Sequence, residues 1–319
     1  MPPTPHLTRR LAITTTATTA SLALLPVRAA RAAQQTFIIG YQKGTITLIL
    51  AKAQRIFEKK LAPLGWRVSW AEFTSGPPML EALAAGAIHF ACTGNSPVIF
   101  AQASGTPLVY VAATRPSPKS IAILKPSGSP LGTVAALKGK KVAVAQGSSA
   151  HYLLVSALAH AGVNYDDVTK VFLQPADALA AFSNGAIDAW SIWDPFYALA
   201  QGEGAELITN GTGLTPNRGF YTTGRDFAQA HSDLLNIAID VLNELDLWQA
   251  AHQTAAAQVI SPVMGVPEPV LEVWFGRENY GVSRLTPDIF VHQQKVADAF
   301  YKLGLIPKAI DVTADAWAG

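Results

Sequence analysis

Gln146-Gly147-Ser148-Ser149-Ala150-His151 brings a glycine, two hydroxyls and an imidazole together within six positions. The segment follows the apolar run KVAVA and opens a helix-periodic stretch. A helix N-terminus presents unpaired backbone N–H groups and a partial positive charge. Glycine lets the backbone come close, and Ser148 and Ser149 can add hydroxyl donors, so this turn is suited to an anion. It is not a nucleotide loop: the spacing G-x-x-x-x-G-K-[ST] is absent here, and no lysine stands behind the serines. The alternative is plain N-capping by Ser148 or Ser149. His151 reads either as a neutral donor to the anion, because a helix N-terminus disfavours its protonation, or as a packing histidine.

A second set of residues answers the first. Gln42-Lys43-Gly44-Thr45 places another glycine turn after a strand. Gly94-Asn95-Ser96-Pro97 and Trp193-Asp194-Pro195 begin two further helices, with Asp194 a natural cap. One of Trp190 and Trp193 is expected to face the ligand and pack on an apolar tail. Charge-assisted hydrogen bonds contribute roughly 1.5–3 kcal/mol each and helix dipoles about 0.3–2 kcal/mol. Three or four such contacts could support micromolar binding, about 8 kcal/mol, without a buried cation.

The elements that must position these turns repeat along the chain. LEALAAGAIHFACTGNSPVIFAQASG at 80–105 resembles LAAFSNGAIDAWSIWDPFYALAQGEG at 179–204, and Gly86-Ala87-Ile88 aligns with Gly185-Ala186-Ile187. Upstream, IIGYQKGTITLIL resembles VAVAQGSSAHYLL. Apolar strands alternate with helical runs that stop at glycines such as Gly65, Gly86, Gly162 and Gly185. This alternation predicts an α/β fold, with parallel sheets covered by helices in two similar lobes. Ligands of such sheets sit beyond the carboxyl ends of the strands. RPSPKS at 115–120 reads as one crossing between lobes, and a second crossing is expected near 221–225, followed by mostly helical chain. The domain reading is an export signal over 1–32, a first lobe over 33–116, a second lobe over 117–222, and a return to the first lobe over 223–319.

Composition narrows the class. Half of the 319 residues are hydrophobic and 14% are charged, which suits one large domain or two modest lobes. Arg9 and Arg10 precede an acid-free apolar stretch that ends in RAARAA, the pattern of a cleaved export signal. The twin-arginine and general secretory routes both remain open. Loss of 1–32 removes four arginines and no acid, and moves the formal charge from +2 to −2. Nothing then argues for a nucleic-acid surface. Cys92 is the only cysteine, so no intramolecular disulfide can form, and it reads as a small buried strand residue. No G-x-S-x-G elbow occurs, and Gly94-Asn95-Ser96-Pro97 fails at its last position. No metal cluster or cofactor is expected.

GYQKG, LKGKKVAVAQGSSAHYLLVSAL, PADALAAFSNGAIDAWSIWDPF, FYKLGLIPKAIDV and the stretch around residues 74–105 together resemble the aliphatic-sulphonate-binding proteins of bacterial ABC importers. The wider group includes taurine- and nitrate-binding proteins. The resemblance covers essentially the whole mature chain. It implies a type II periplasmic binding-protein fold, with two α/β lobes joined by two crossing segments, and a periplasmic monomer rather than an enzyme. It also implies capture of an organosulphonate for delivery to a permease and its ATPase, in support of sulphur acquisition. Carried onto this sequence, it places the sulphonate at Ser148 and Ser149, beside Gly147, with Gln42, Asn95 and His151 nearby. Gly94 and Ser96 belong to the matching turn. Trp193, Asp194 and the segment Tyr221-Thr222-Thr223 line the rest. The family's Thr-Gly-Asp turn is Thr93-Gly94-Asn95 here, a lost negative charge that favours an anion. Alternatives on the same scaffold are taurine, whose ammonium Asp194 could meet, nitrate, a thiamine precursor, or a transferase or synthase. Arg218 reads either as a solvated loop residue or as one that reaches the cleft mouth.

Overall fold

Strand-forming apolar runs and glycine-terminated helices follow one another along the chain much as the periodicity implies. The computed structural model describes residues 35–319, so the expected export signal lies outside the described residues. The first lobe opens with β1 (Gln35–Gln42), α1 (Ile46–Ala53), α2 (Ile56–Leu61), β2 (Trp66–Phe73), α3 (Gly76–Ala84), β3 (Phe90–Gly94), α4 (Asn95–Ala103) and β4 (Leu108–Thr114). The chain crosses through 115–120 into β5 (Ile121–Lys125). There follow β6 (Lys141–Val144), α5 (Ser149–His160), β7 (Thr169–Phe172), α6 (Pro175–Ser183), β8 (Ala189–Trp193), α7 (Phe196–Gly202) and β9 (Glu206–Asn210). It returns through 211–218 to β10 (Gly219–Gly224) and α8 (Arg225–Ala230). The last elements are α9 (Ser232–Ala251), α10 (Gln253–Met264), α11 (Glu268–Phe275), β11 (Val282–Arg284) and α12 (Pro287–Lys302).

Six strands form one sheet in the order β11-β4-β10-β3-β1-β2, and five form the other in the order β7-β6-β8-β5-β9. Taken from matching edges, β2-β1-β3-β10-β4 and β7-β6-β8-β5-β9 are the same arrangement. The internal repeat is visible element by element: α3 answers α6 and β3 answers β8, each 99 residues later. β1 pairs in parallel with β2 and β3, and β6 with β7 and β8. One inner strand of each sheet runs antiparallel to both neighbours, β10 between β3 and β4 and β5 between β8 and β9. Each is the first strand laid down after a crossing.

Both sheets are covered on both faces, which is why β4 reads as an unbroken apolar run, buried from Leu108 to Ala113. Alternate residues serve opposite cores. Phe37, Ile39 and Tyr41 of β1 pack with α1, α9 and α10, while Ile38 faces the core under α3 and α4. Likewise, Ile121 and Ile123 of β5 face α5, and Ala122 and Leu124 face α6 and α7.

The first crossing falls where the Pro/Ser-rich segment was expected. The second does not. Residues 221–224 and the boundary at 222 lie inside β10, where Tyr221 pairs with Cys92 on one side and Ala112 on the other. That strand is defined by partners more than a hundred residues away, and no local pattern discloses it. The return crossing is instead 211–218, and it lies beside the first. Gly211 N donates to Pro118 O (2.9 Å) and Ile121 O (3.1 Å), and Ser117 N donates to Asn217 O (3.2 Å). A Cβ at Gly211 would stand 2.6 Å from Pro118 O, so glycine is needed there. A third segment, 276–281, straps the pair: Asn279 N donates to Ser117 Oγ (2.9 Å) and Asn279 Nδ2 to Pro116 O (2.6 Å).

Candidate functional site

Beyond the carboxyl ends of the parallel strands lies a cavity of about 130 Å³ walled by both lobes and by the return crossing. The ends of β1 and β3 contribute Gln42, Thr93 and Gly94; the turns after β6 and β8 contribute Ser148, Ser149, Trp193 and Asp194. This is where an α/β sheet exposes helix N-termini to a ligand. Of the residues selected from the sequence, the fold therefore brings Gln42, Gly94, Ser148, Ser149, Trp193 and Asp194 to one cavity. Trp193 lines it, while Trp190 is buried in the core beneath α6 and α7.

The two serines divide the roles that the sequence left open. Ser148 is the N-cap of α5: its Oγ accepts from His151 N (3.2 Å) and donates to Ala145 O (2.6 Å). Ser149 Oγ is buried and has no hydrogen-bond partner among the described residues. It lies against Gly94 of the other lobe, so close that a Cβ there would overlap the hydroxyl. The backbone at Gly94 is extended, so its glycine answers to space and not to an unusual torsion. A second approach between lobes is Gly44 under the Trp193 indole, where a Cβ would lie 3.0 Å from Cδ1 and Nε1. The lobes are thus closed on each other.

Asn95, Ser96, Gly147, His151 and Thr222 do not line the cavity. His151, expected to donate to an anion, is wholly buried; its Nδ1 accepts from Gly147 N (3.2 Å) and its Nε2 lies 2.6 Å from Tyr165 OH. Burial, reinforced by Lys170, lowers its pKa to about 4, so the ring is neutral, and it holds the turn instead of the ligand. Gly147, at φ 72°, supplies the left-handed bend and gives its N–H to that ring. Asn95 Oδ1 accepts from Ser96 N (2.9 Å), and Asn95 O accepts from Gln293 Nε2 (2.8 Å), which ties both residues into α4 and α12. Thr222 falls on the wrong face of β10; strand alternation delivers Tyr221 to the cavity in its place.

The larger correction concerns charge. A site gripped without a cation was expected, yet Arg218 lines the cavity, half-buried, with Nη1 donating to Thr114 O (2.7 Å). Asn217 precedes it at φ 44° and is pinned by its Nδ2 to Ser117 O (2.9 Å), which turns the return crossing and sets Arg218 against the cavity. Two carboxylates that the sequence reading missed also line it, Asp246 and Glu278. Burial raises the pKa of both. Asp246 Oδ1 accepts from Thr47 Oγ1 (2.6 Å), and Glu278 Oε1 accepts from Trp274 Nε1 (2.8 Å). Asp246 had a legible signal, since it interrupts the buried stripe of α9 between Leu242 and Gln249. Arg277 had none. Its Nη1 donates to both oxygens of Asp194 (3.0 Å each), its Nη2 donates to Gln201, and the guanidinium packs 3.7 Å over the Tyr197 ring, all in the opposite lobe. Asp194 also accepts from Ala198 N (2.9 Å), capping the first turn of α7 from one residue before the N-cap, Pro195. Burial pushes its carboxyl up to about 7 against the pull of Arg277.

Two α/β lobes, two crossings and a cavity between strand ends define a binding protein of the type II periplasmic fold. Residues 70–235 match the family described as NMT1/THI5 like. A protein of Escherichia coli (strain K12) described as aliphatic sulfonates-binding is 39% identical over 292 residues, covering 91% of each chain. The chain belongs to the aliphatic sulfonate-binding protein family. Among solved structures, the alkanesulfonate-binding protein of Xanthomonas axonopodis pv. citri bound to MOPS superposes with a TM-score of 0.84 at 39% identity, covering 88% of this chain and 98% of that one. The periplasmic aliphatic sulphonate binding protein of Escherichia coli gives 0.81 at 38% identity, covering 89% and 97%. These relatives are described as binding proteins, not as enzymes.

Proposed function

We propose that the protein captures aliphatic sulphonates between its lobes in the periplasm and presents them to an ABC permease and its ATPase for sulphur acquisition. The observation that carries this reading is Ser149: a buried, unpartnered hydroxyl at a helix N-terminus, set against the opposite lobe in a cavity that also holds Arg218. A tetrahedral oxyanion would satisfy that hydroxyl, the first amides of α5 and the guanidinium together. Relatives at 38–39% identity are described by the same ligand class, and one is solved with MOPS, itself a sulphonate.

The mechanism is closure. Ligand held by one lobe recruits the other, the paired crossings bend, and the permease reads the closed shape. Thiol catalysis is disfavoured: Cys92 lines the cavity, but burial pushes its pKa up to about 12, so it stays a thiol. Residues 1–32 would direct export. Calorimetric titration with alkanesulphonates, taurine, nitrate, sulphate and a thiamine precursor tests the reading. Micromolar or tighter binding of a sulphonate is expected; tightest binding of nitrate or the thiamine precursor would overturn it.

A further inference from the structure

The charges around the cavity do not balance about a simple anion. Four ionisable side chains line it: Asp194, Arg218, Asp246 and Glu278. Asp194, the carboxylate that the sequence offered to an ammonium, is already matched by Arg277. Among the described residues, neither Asp246 nor Glu278 has a cation within ion-pair distance, and Arg218 has no carboxylate within it. The chain therefore leaves two carboxylates and one guanidinium uncompensated at one cavity. An alkanesulphonate with an inert tail would be enclosed with both acids, each of which must then repel it or take up a proton, and both alternatives cost affinity.

A ligand that carries its own cation removes the conflict. Its sulphonate would take Ser149, the start of α5 and Arg218, and its ammonium would take the carboxylates. The acids are placed for this. Asp246 comes from α9, is 7% exposed, and is held by Thr47 Oγ1 and Gly281 N, which leaves acceptor capacity on both oxygens. Glu278 comes from the strap, next to Asn279, which bonds both Ser117 and Pro116 of the first crossing. An ammonium at Glu278 would sit beside the hinge that closure bends. We infer that the preferred ligands are zwitterionic amino-alkanesulphonates, with Glu278 and Asp246 selecting the ammonium. This inference rests on the sulphonate reading above and narrows it.

The test compares isosteres that differ in charge. Taurine and ethanesulphonate are titrated calorimetrically into the wild-type protein and into Glu278→Gln and Asp246→Asn. Taurine should bind the wild type at least about tenfold tighter, the size of one charge-assisted contact. In each variant the ratio of the two affinities should fall by a similar factor. A wild-type ratio near one, or no binding of taurine, overturns the inference while leaving the sulphonate reading to the longer alkanesulphonates. A variant that weakens both ligands equally assigns that carboxylate to structure and overturns its selecting role. Thermal melting identifies a variant that has failed to fold, and the other variant then decides.

Discussion

Arg277 Nη1 lies 3.0 Å from each carboxylate oxygen of Asp194 and so ties the helical return of the first lobe to the end of β8 in the second. Asp194 is 2% exposed, and an unmatched charge at that depth is costly. Arg277→Ala should lower stability by about 3–5 kcal/mol, read from urea unfolding. A loss below about 1 kcal/mol would show that the pair carries little. The pH dependence has a definite sign. Burial raises the Asp194 pKa to about 7, so the native state holds this proton more tightly than the unfolded chain, and stability is lost as pH rises through the folded value. Without Arg277 to oppose burial, that decline should extend to higher pH in the variant.

His151 sets a pH dependence of the opposite sign. Its pKa falls from 6.5 to about 4, so the native state excludes the proton that the unfolded chain accepts. Stability from this group is full above about pH 6.5 and is lost as pH falls towards 4, by up to about 3 kcal/mol. His151→Gln can keep both hydrogen bonds and cannot titrate. The stability difference between wild type and variant should shrink by that amount between pH 7 and pH 4. A constant difference across the range would mean that the imidazole does not carry this linkage.

Ser148 and Ser149 should separate cleanly. Ser148→Ala removes a cap and should cost roughly 1 kcal/mol of stability. Ser149→Ala removes a buried hydroxyl without a partner, so stability should hold or rise while sulphonate affinity falls about tenfold. Denaturant curves and calorimetry on the two variants read both quantities. Equal affinity losses would contradict this division of labour.

Gly94→Ala places a methyl group on Ser149 Oγ, so the lobes cannot close as they do here. The clash should cost roughly 1–3 kcal/mol of binding free energy. Adding Ser149→Ala should recover part of it, even though that change alone weakens binding. No recovery in the double variant would place the defect elsewhere. Small-angle scattering in the presence of ligand should show a larger radius of gyration for Gly94→Ala than for wild type.

What the sequence disclosed and what it hid divide along physical lines. The 99-residue repeat, the glycine turns and the serines at α5 are legible in the sequence, and they point to the cavity between the lobes. Strand parity is also local, but without the register of β10 it could not decide between Tyr221 and Thr222. The charged inventory was hidden for a different reason. Arg277 meets Asp194 across 83 positions, and Glu278 reaches the cavity only because the strap folds over the crossings. Arg218 lay in view, but its direction depends on the bend at Asn217. His151 is neutral, as expected, but it does not line the cavity, and its ring serves the turn because Gly147 N and Tyr165 OH take both nitrogens.

The position of β10 bears on how the protein is made. Every strand of the second sheet comes from residues 121–210, whereas the first sheet draws on residues from 35 to 284. A chain emerging from its amino end can therefore finish the second lobe while the first still has an unfilled slot between β3 and β4. The lobe begun earlier is completed later, and any factor that shields the nascent chain must guard that slot until residue 224 arrives.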